Sequence, residues 1–320
     1  MKLRRRLGNS GFIAQALVDG TWLTLGPQSA VRFGSGSDPV MEILKLDAQA
    51  RQALERIETH QEEMILEDDP AMLPIQPASF RDFMLFEKHV IDSSRGFVKR
   101  FMPRAFPLTQ LIERVTGKPF KRFRPHPLWY QQPIYYFGNH LNFAPSGSVL
   151  KWPRYTTALD YELELGAVLA KPLFNASPDE VADAIGGFVV LNDVSARDIQ
   201  KEEMDSGFGP QKAKHFVSTM SDTIVTADEV LPHIDRLSAS VSINGQQVAE
   251  CSTAGMQFSL LEAIAFASKD EQLHEGELFG TGTLPGGTGM ENGHWLQPGD
   301  TVTLRIDQVG EVSNTIERAV

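Results

Sequence analysis

The most regular alternation of apolar and polar residues lies at 159–172, LDYELELGAVLAKP. Tyr161, Leu163, Leu165, Ala167 and Leu169 alternate with Glu162, Glu164, Gly166, Val168 and Ala170. A period of two is that of a strand, with residues i and i+2 on one face. The second face begins with two glutamates and ends apolar, which predicts a strand buried on both sides farther along. Residues 184–192, 239–249 and 300–308 also read as strands. Within 12–25, FIAQALVDGTWLTL, two apolar runs flank Asp19-Gly20, the signal of a type I′ hairpin. Residues 47–66 read as a helix with Asp47 as N-cap, and 259–269 as a shorter helix. Between them DDPAMLPIQPAS holds three prolines in twelve residues, a predicted linker. The expected division is a small N-terminal domain, 1–75, of a hairpin plus a helix, followed by a larger domain, 76–320. Strands do not alternate regularly with helices, which argues against a doubly wound sheet and for a β-rich α+β fold.

Composition narrows the partners. The 320 residues are 42% hydrophobic, the level of an ordinary globular protein. A formal charge of -11 argues against nucleic acid as a partner but not against small anionic substrates, since a metal or a local cation cluster can reverse the sign of one pocket. The single cysteine, Cys251, permits no intrachain disulfide and suits a reducing compartment. No run of about 18 apolar residues is present, so no membrane span is expected. The basic start MKLRRR lacks the following apolar stretch of a signal peptide, about 7–15 residues long. A cytoplasmic protein is expected.

The strand pattern also carries candidate chemistry. Glu162 and Glu164 point the same way, about 6.5–7 Å apart at the backbone. Like charges on one face repel, and a cation between them would remove that penalty. The plain alternative is a solvated strand face. A second apolar strand, FVVLN, runs straight into Asp193. An aspartate there serves as a ligand or as a helix N-cap, a task for which Ser195 is an equal candidate. Together these carboxylates form an all-oxygen set suited to Mg²⁺, Mn²⁺ or Ca²⁺. HExxH and CxxC motifs are absent, so zinc sites of the usual kinds are not supported.

Several motifs in order, from about residue 80 to the end, resemble the fumarylacetoacetate hydrolase superfamily: RDFMLFEKHV, PIYYFGN, LDYELELGAVLAKP, GFVVLNDVSARDIQ, KAKHF, GTGTLPGG and PGDTVTLRIDQVGEVSNTI. The pair DYELELG and LNDVSARDIQ is the most specific. The resemblance implies a mixed β-sheet roll or barrel around a metal site, preceded here by the small β-containing N-terminal unit. It implies Mg²⁺ or Ca²⁺ on Glu162, Glu164 and Asp193, with Asp82, seven residues before His89, as a further ligand. It also implies a homodimer that acts on small anionic 2-oxo or 2,4-dioxo acids.

His89 is the candidate general base, because an imidazole titrates near neutral pH. It needs a carboxylate to fix its tautomer. Glu291 resembles the distant glutamate of the longer family members, and Asp92 resembles the H-x-x-E partner of the shorter ones. By resemblance Arg197, Gln200 and Lys214 supply the cation and amide donors, although Lys212 lies only two residues from Lys214. Tyr136 matches a substrate-contact tyrosine, with Tyr135 an equal claimant. In 280–289, GTGTLPGGTG, the glycines, Gly282 among them, would let backbone amides and Thr283 approach a bound carboxylate. This is no dinucleotide fingerprint, since Pro285 occupies the place of the third glycine. Met84 stands where true fumarylacetoacetases carry a substrate-binding tyrosine, which argues against fumarylacetoacetate itself. The expected activity is metal-dependent hydrolysis of a C–C bond in a 2,4-dioxo acid. The alternatives are a lyase or isomerase on a 2-oxo acid or a 2-oxo-3-deoxy sugar acid, and a non-catalytic metal-binding protein.

Overall fold

Two tight turns show how local chemistry starts the fold. At Asp19 and Gly20 φ is 47° and 80°, the paired positive values of a type I′ turn, and Val18 faces Thr21 across it. Asn244 and Gly245 repeat the geometry at 53° and 78°. The expected single strand 239–249 is therefore a hairpin of Ser238–Ile243 and Gln246–Ser252. The computed structural model describes residues 1–8, 11–25, 38–55 and 71–318. Asp47 caps the helix Ala48–Glu55, its carboxylate accepting the Ala50 N–H at 2.7 Å. The rest of the expected helix, 56–66, lies outside the described residues. Ser259 caps Leu260–Ala267 through a capping box with Glu262.

The main sheet has eleven strands. Its path runs from Thr21–Leu25 through Gly11–Val18, Lys2–Gly8, Thr223–Thr226, Ile185–Asn192, Leu163–Leu169, Glu277–Gly280 and Ser79–Phe83 to Tyr135–Gly138. Among the described residues the sheet is mixed and open: its end strands do not pair with each other, so it is not a closed barrel. The N-terminal strand Lys2–Gly8 pairs with Thr223–Thr226, so the sheet runs across the boundary expected at residue 75. The proline-rich segment is likewise tied down, with Leu73 and Ile75 buried in the same apolar cluster as Leu3, Ala14 and Val168.

The strand Leu163–Leu169 is buried at every position. Its odd residues, Leu163 to Leu169, join a core shared with a second, five-stranded sheet that contributes Val241, Leu304 and Ile316. Its even face passes from Glu164 through Gly166 to Val168, which joins the other cluster. Burial of both faces excludes a solvated-face reading of the two glutamates. No described helix is long and apolar enough to cross a membrane.

Candidate active site

Three strands of the main sheet bring carboxylates together, with Glu277–Gly280 lying between two of them. Asp82 lies near the end of Ser79–Phe83, Glu164 lies at the start of Leu163–Leu169, and Asp193 directly follows Ile185–Asn192. One oxygen from each lies within 4.8 Å of the others, and all three residues are buried. Gly280 makes the space. It pairs with Asp82 on one side and Gly166 on the other. A Cβ on Gly280 would lie 2.6 Å from Asp82 Oδ1 and 2.8 Å from Glu164 Oε2.

The electrostatics of this trio are those of a site short of positive charge. Burial, then the charge of Asp193, pushes Asp82 up to about 8. Burial, then Asp82 and Asp193, raises Glu164 well above the usual carboxylate range. Glu164 Oε2 is buried without a hydrogen-bond partner. Three converging carboxylates, one of them with an unpartnered oxygen, fit a hard divalent cation. Tyr136 donates to Asp193 Oδ2 at 2.6 Å, and Ser218 donates to Asp193 Oδ1 at 3.2 Å. The Gly282 amide donates to Asp82 at 3.2 Å, and Thr283 approaches Glu164 at 3.5 Å. The glycine-rich loop therefore steadies the protein's own carboxylates.

Glu162, expected as a fourth ligand, is placed differently. Arg197 donates to it at 2.6 Å, and Lys214 bridges it to Asp193. Burial alone would raise its pKa, but Arg197, Lys214 and His89 outweigh burial and hold it far below the usual range. Arg197 also reaches Asp160 at 2.9 Å, Thr288 at 2.9 Å and Gln200 at 2.8 Å. Asp160 accepts five bonds in all, from Arg197, Thr288 and the amides of Tyr161, Gly289 and Met290. Sequence reasoning missed Asp160, although it stands two residues before Glu162. Neither Asp193 nor Ser195 caps the next helix, Arg197–Asp205; Ala196 holds the cap position without a side-chain bond.

His89 lies in the helix Glu87–Phe101, and its Nδ1 meets Glu291 Oε1 at 2.5 Å. The other Glu291 oxygen accepts the Gly286 amide at 2.8 Å. Asp92 is not the partner: it turns to Lys88 and to Arg95, the latter at 2.6 Å. Among the described residues His89 Nε2 carries no hydrogen bond, so the nitrogen opposite the glutamate is free for chemistry. Lys214 is buried, whereas Lys212 is exposed beside Tyr155, which separates the two lysines. Tyr136 reaches the acidic trio, and Tyr135 packs on Phe83.

A cavity of about 390 Å³ joins these parts; Asp82, Glu164, His89, Arg197, Gln200 and Lys214 all line it. A buried oxygen-only acidic centre and a carboxylate-paired histidine on one cavity have the chemistry to hold a divalent cation and to move a proton.

Residues 113–317 match the family model of the fumarylacetoacetate (FAA) hydrolase C-terminal domain, and the chain belongs to that family. It is 34% identical over 156 residues to the human mitochondrial oxaloacetate tautomerase FAHD1, covering 48% of this chain and 70% of that protein. It is 29% identical over 194 residues to the oxaloacetate tautomerase YisK of Bacillus subtilis, covering 58% of this chain and 62% of that protein. A fumarylacetoacetate hydrolase from Exiguobacterium antarcticum shares the fold along the full length of both chains, with a TM-score of 0.67 at 18% identity.

Proposed function

We propose that the protein catalyses proton transfer at the carbon next to the keto group of a small 2-oxo acid, a tautomerase or isomerase reaction. The observation that carries this reading is the His89–Glu291 pair, 2.5 Å apart, with His89 on the same cavity as Asp82 and Glu164. The tautomerase names of the two relatives support it over hydrolysis. Asp82, Glu164 and Asp193 would hold the divalent cation, Mg²⁺ being the best match to an all-oxygen set. When bound, the cation supplies Lewis-acid polarisation of the keto group and offsets the charge of the enolate.

The protein's own residues do the rest. Glu291 accepts the Nδ1 proton of His89, which fixes the tautomer with Nε2 as base and steadies the imidazolium once formed. Nε2 removes the proton from the carbon beside the keto group. Return of one proton to the keto oxygen completes the enol, with no net change in atoms or charge. Lys214 and Gln200 provide donors at the floor of the cavity. Hydrolysis of a 2,4-dioxo acid is the second reading, favoured by the same pair, since an oriented histidine also deprotonates water.

The test is deuterium wash-in at that carbon, followed by NMR in D₂O with a panel of small mono- and dicarboxylic 2-oxo acids. Exchange should be fast with Mg²⁺ and absent with EDTA or in Glu164→Gln. His89→Ala should keep Mg²⁺ affinity and lose roughly 10²–10⁴-fold in rate. Solvent ¹⁸O in a cleaved product would transfer the assignment to hydrolysis. Metal binding without turnover on any oxo acid would leave a non-catalytic binding protein.

A further inference from the structure

We infer that the far end of the substrate is apolar and uncharged, so that the acid taken here is a monocarboxylate with an alkyl or aryl tail rather than a dicarboxylate. This rests on the 2-oxo acid reading above and deepens it. Two elements carry the same gradient from a charged floor to an apolar rim. On one strand and its exit, Asp82 is 5% exposed and Met84 is 37% exposed. On the helix Arg197–Asp205, Arg197 is 3% exposed, Gln200 is half-buried and Met204 is 47% exposed. These three helix positions, at i, i+3 and i+7, share one face. Both methionines line the cavity, with Val90, Ile134 and Pro210 as further wall.

The cations of the wall already face carboxylates of the chain, at the floor where the 2-oxo acid head would sit. Each nitrogen of Arg197 is engaged, Nε by Asp160, Nη1 by Gln200 and Nη2 by Glu162 and Thr288. Lys214 is shared between Glu162 and Asp193. His89, as base, must start neutral. The Lys and Arg side chains that line the cavity, Arg197 and Lys214, are both buried at its floor, and none of the lining residues at the rim is cationic. A carboxylate at the methionine rim would lose water without gaining a partner. A methylene there gains about fourfold in affinity for each one buried. The volume, about 390 Å³, also exceeds the needs of a four-carbon acid.

The test uses N-substituted oxamates, unreactive analogues of a 2-oxo acid that differ only at the nitrogen substituent. Binding to the full chain in saturating Mg²⁺ is measured by titration calorimetry. Affinity should rise about fourfold per carbon from N-methyl to N-butyl. N-butyl and N-phenyl oxamate should bind at least tenfold tighter than N-carboxymethyl oxamate. Met84→Lys and Met204→Lys, both at the exposed rim where folding is not at stake, should narrow or reverse that gap by about tenfold. Equal or tighter binding of the carboxymethyl compound to the unaltered protein overturns the inference and leaves the 2-oxo acid reading intact. An unchanged gap in both lysine variants overturns the assignment of the tail to this rim. Failure of every oxamate to bind overturns the 2-oxo acid reading as well.

Discussion

Glu162 and Glu164 stand two residues apart on one strand, both buried, and their chemistry is opposite. Glu162 meets Arg197 and Lys214 and is held strongly ionised. Glu164 meets Asp82 and Asp193 and resists ionisation. Burial penalises both charges equally in kind. The identity of the neighbours decides the sign. One glutamate is neutralised by fixed cations of the chain. The other stands among acids whose mutual repulsion a bound cation would relieve.

The sharpest way to break this contrast is to neutralise each glutamate in turn. Glu164→Gln should remove Mg²⁺ binding from calorimetric traces and lower turnover on the order of 10³-fold, the several kcal/mol expected of lost metal polarisation. In EDTA the same variant should melt no lower than the unaltered protein, because it removes a repelling charge. Glu162→Gln should do the reverse to stability, costing about 3–5 kcal/mol in denaturant titrations, since it leaves Arg197 and Lys214 buried and short of a partner. Equal losses of stability in both variants would show that the two glutamates do not differ in role.

Much of this site is legible in the sequence, and its unread part has a physical cause. Glu164 and Asp193 lie on or next to strands, where a period of two and an apolar run mark their positions, whereas Asp82 became a candidate only through the family resemblance. That same period placed Glu162 with Glu164 on one face, and nothing local separates them. Their separation comes from Arg197 and Lys214, which lie 35 and 52 residues beyond Glu162. Asp160 went unread for the same reason: four of its five donors lie 37 to 130 residues away. Glu291, 202 residues from His89, became a candidate only through a family resemblance, and geometry then preferred it to Asp92. The hairpin at 244–245 is a different case. Asn-Gly is as strong a turn signal as Asp19-Gly20, but the weak apolar alternation around it hid the break between strands.

The contrast also predicts a dependence on pH. The folded pKa of Asp82, about 8, lies above its ordinary 3.8. Below about pH 4 both folded and unfolded forms hold the proton, and the group contributes nothing. As pH rises toward 8 the unfolded chain ionises while the folded one resists, so the metal-free protein loses stability through that window. Glu164 acts in the same direction. Mg²⁺ binds the ionised form and removes the penalty. The gap in Tm between Mg²⁺ and EDTA should therefore widen from pH 4 to 8. At Mg²⁺ a hundredfold above its Kd the gap corresponds to about 2.7 kcal/mol. A gap independent of pH would mean that Asp82 and Glu164 do not titrate with the cation.

The smallest effect tests the space between the carboxylates. Gly280 has an ordinary backbone conformation, so its lack of a side chain is not required by a turn. What an added Cβ would meet is Asp82 Oδ1 and Glu164 Oε2, both under 3.0 Å away. Gly280→Ala must therefore push the two oxygens apart. Overpacking of this kind costs about 1–2 kcal/mol of stability, against which Ala gains a few tenths by restricting the unfolded chain. The displaced oxygens should weaken Mg²⁺ binding about tenfold, while the Glu162–Arg197–Asp160 network stays untouched. Thermal denaturation in EDTA and a Mg²⁺ titration separate the two effects. Destabilisation with unchanged Mg²⁺ affinity would mean that the ligand oxygens adjust freely, and that the close approach at Gly280 serves packing rather than the cation.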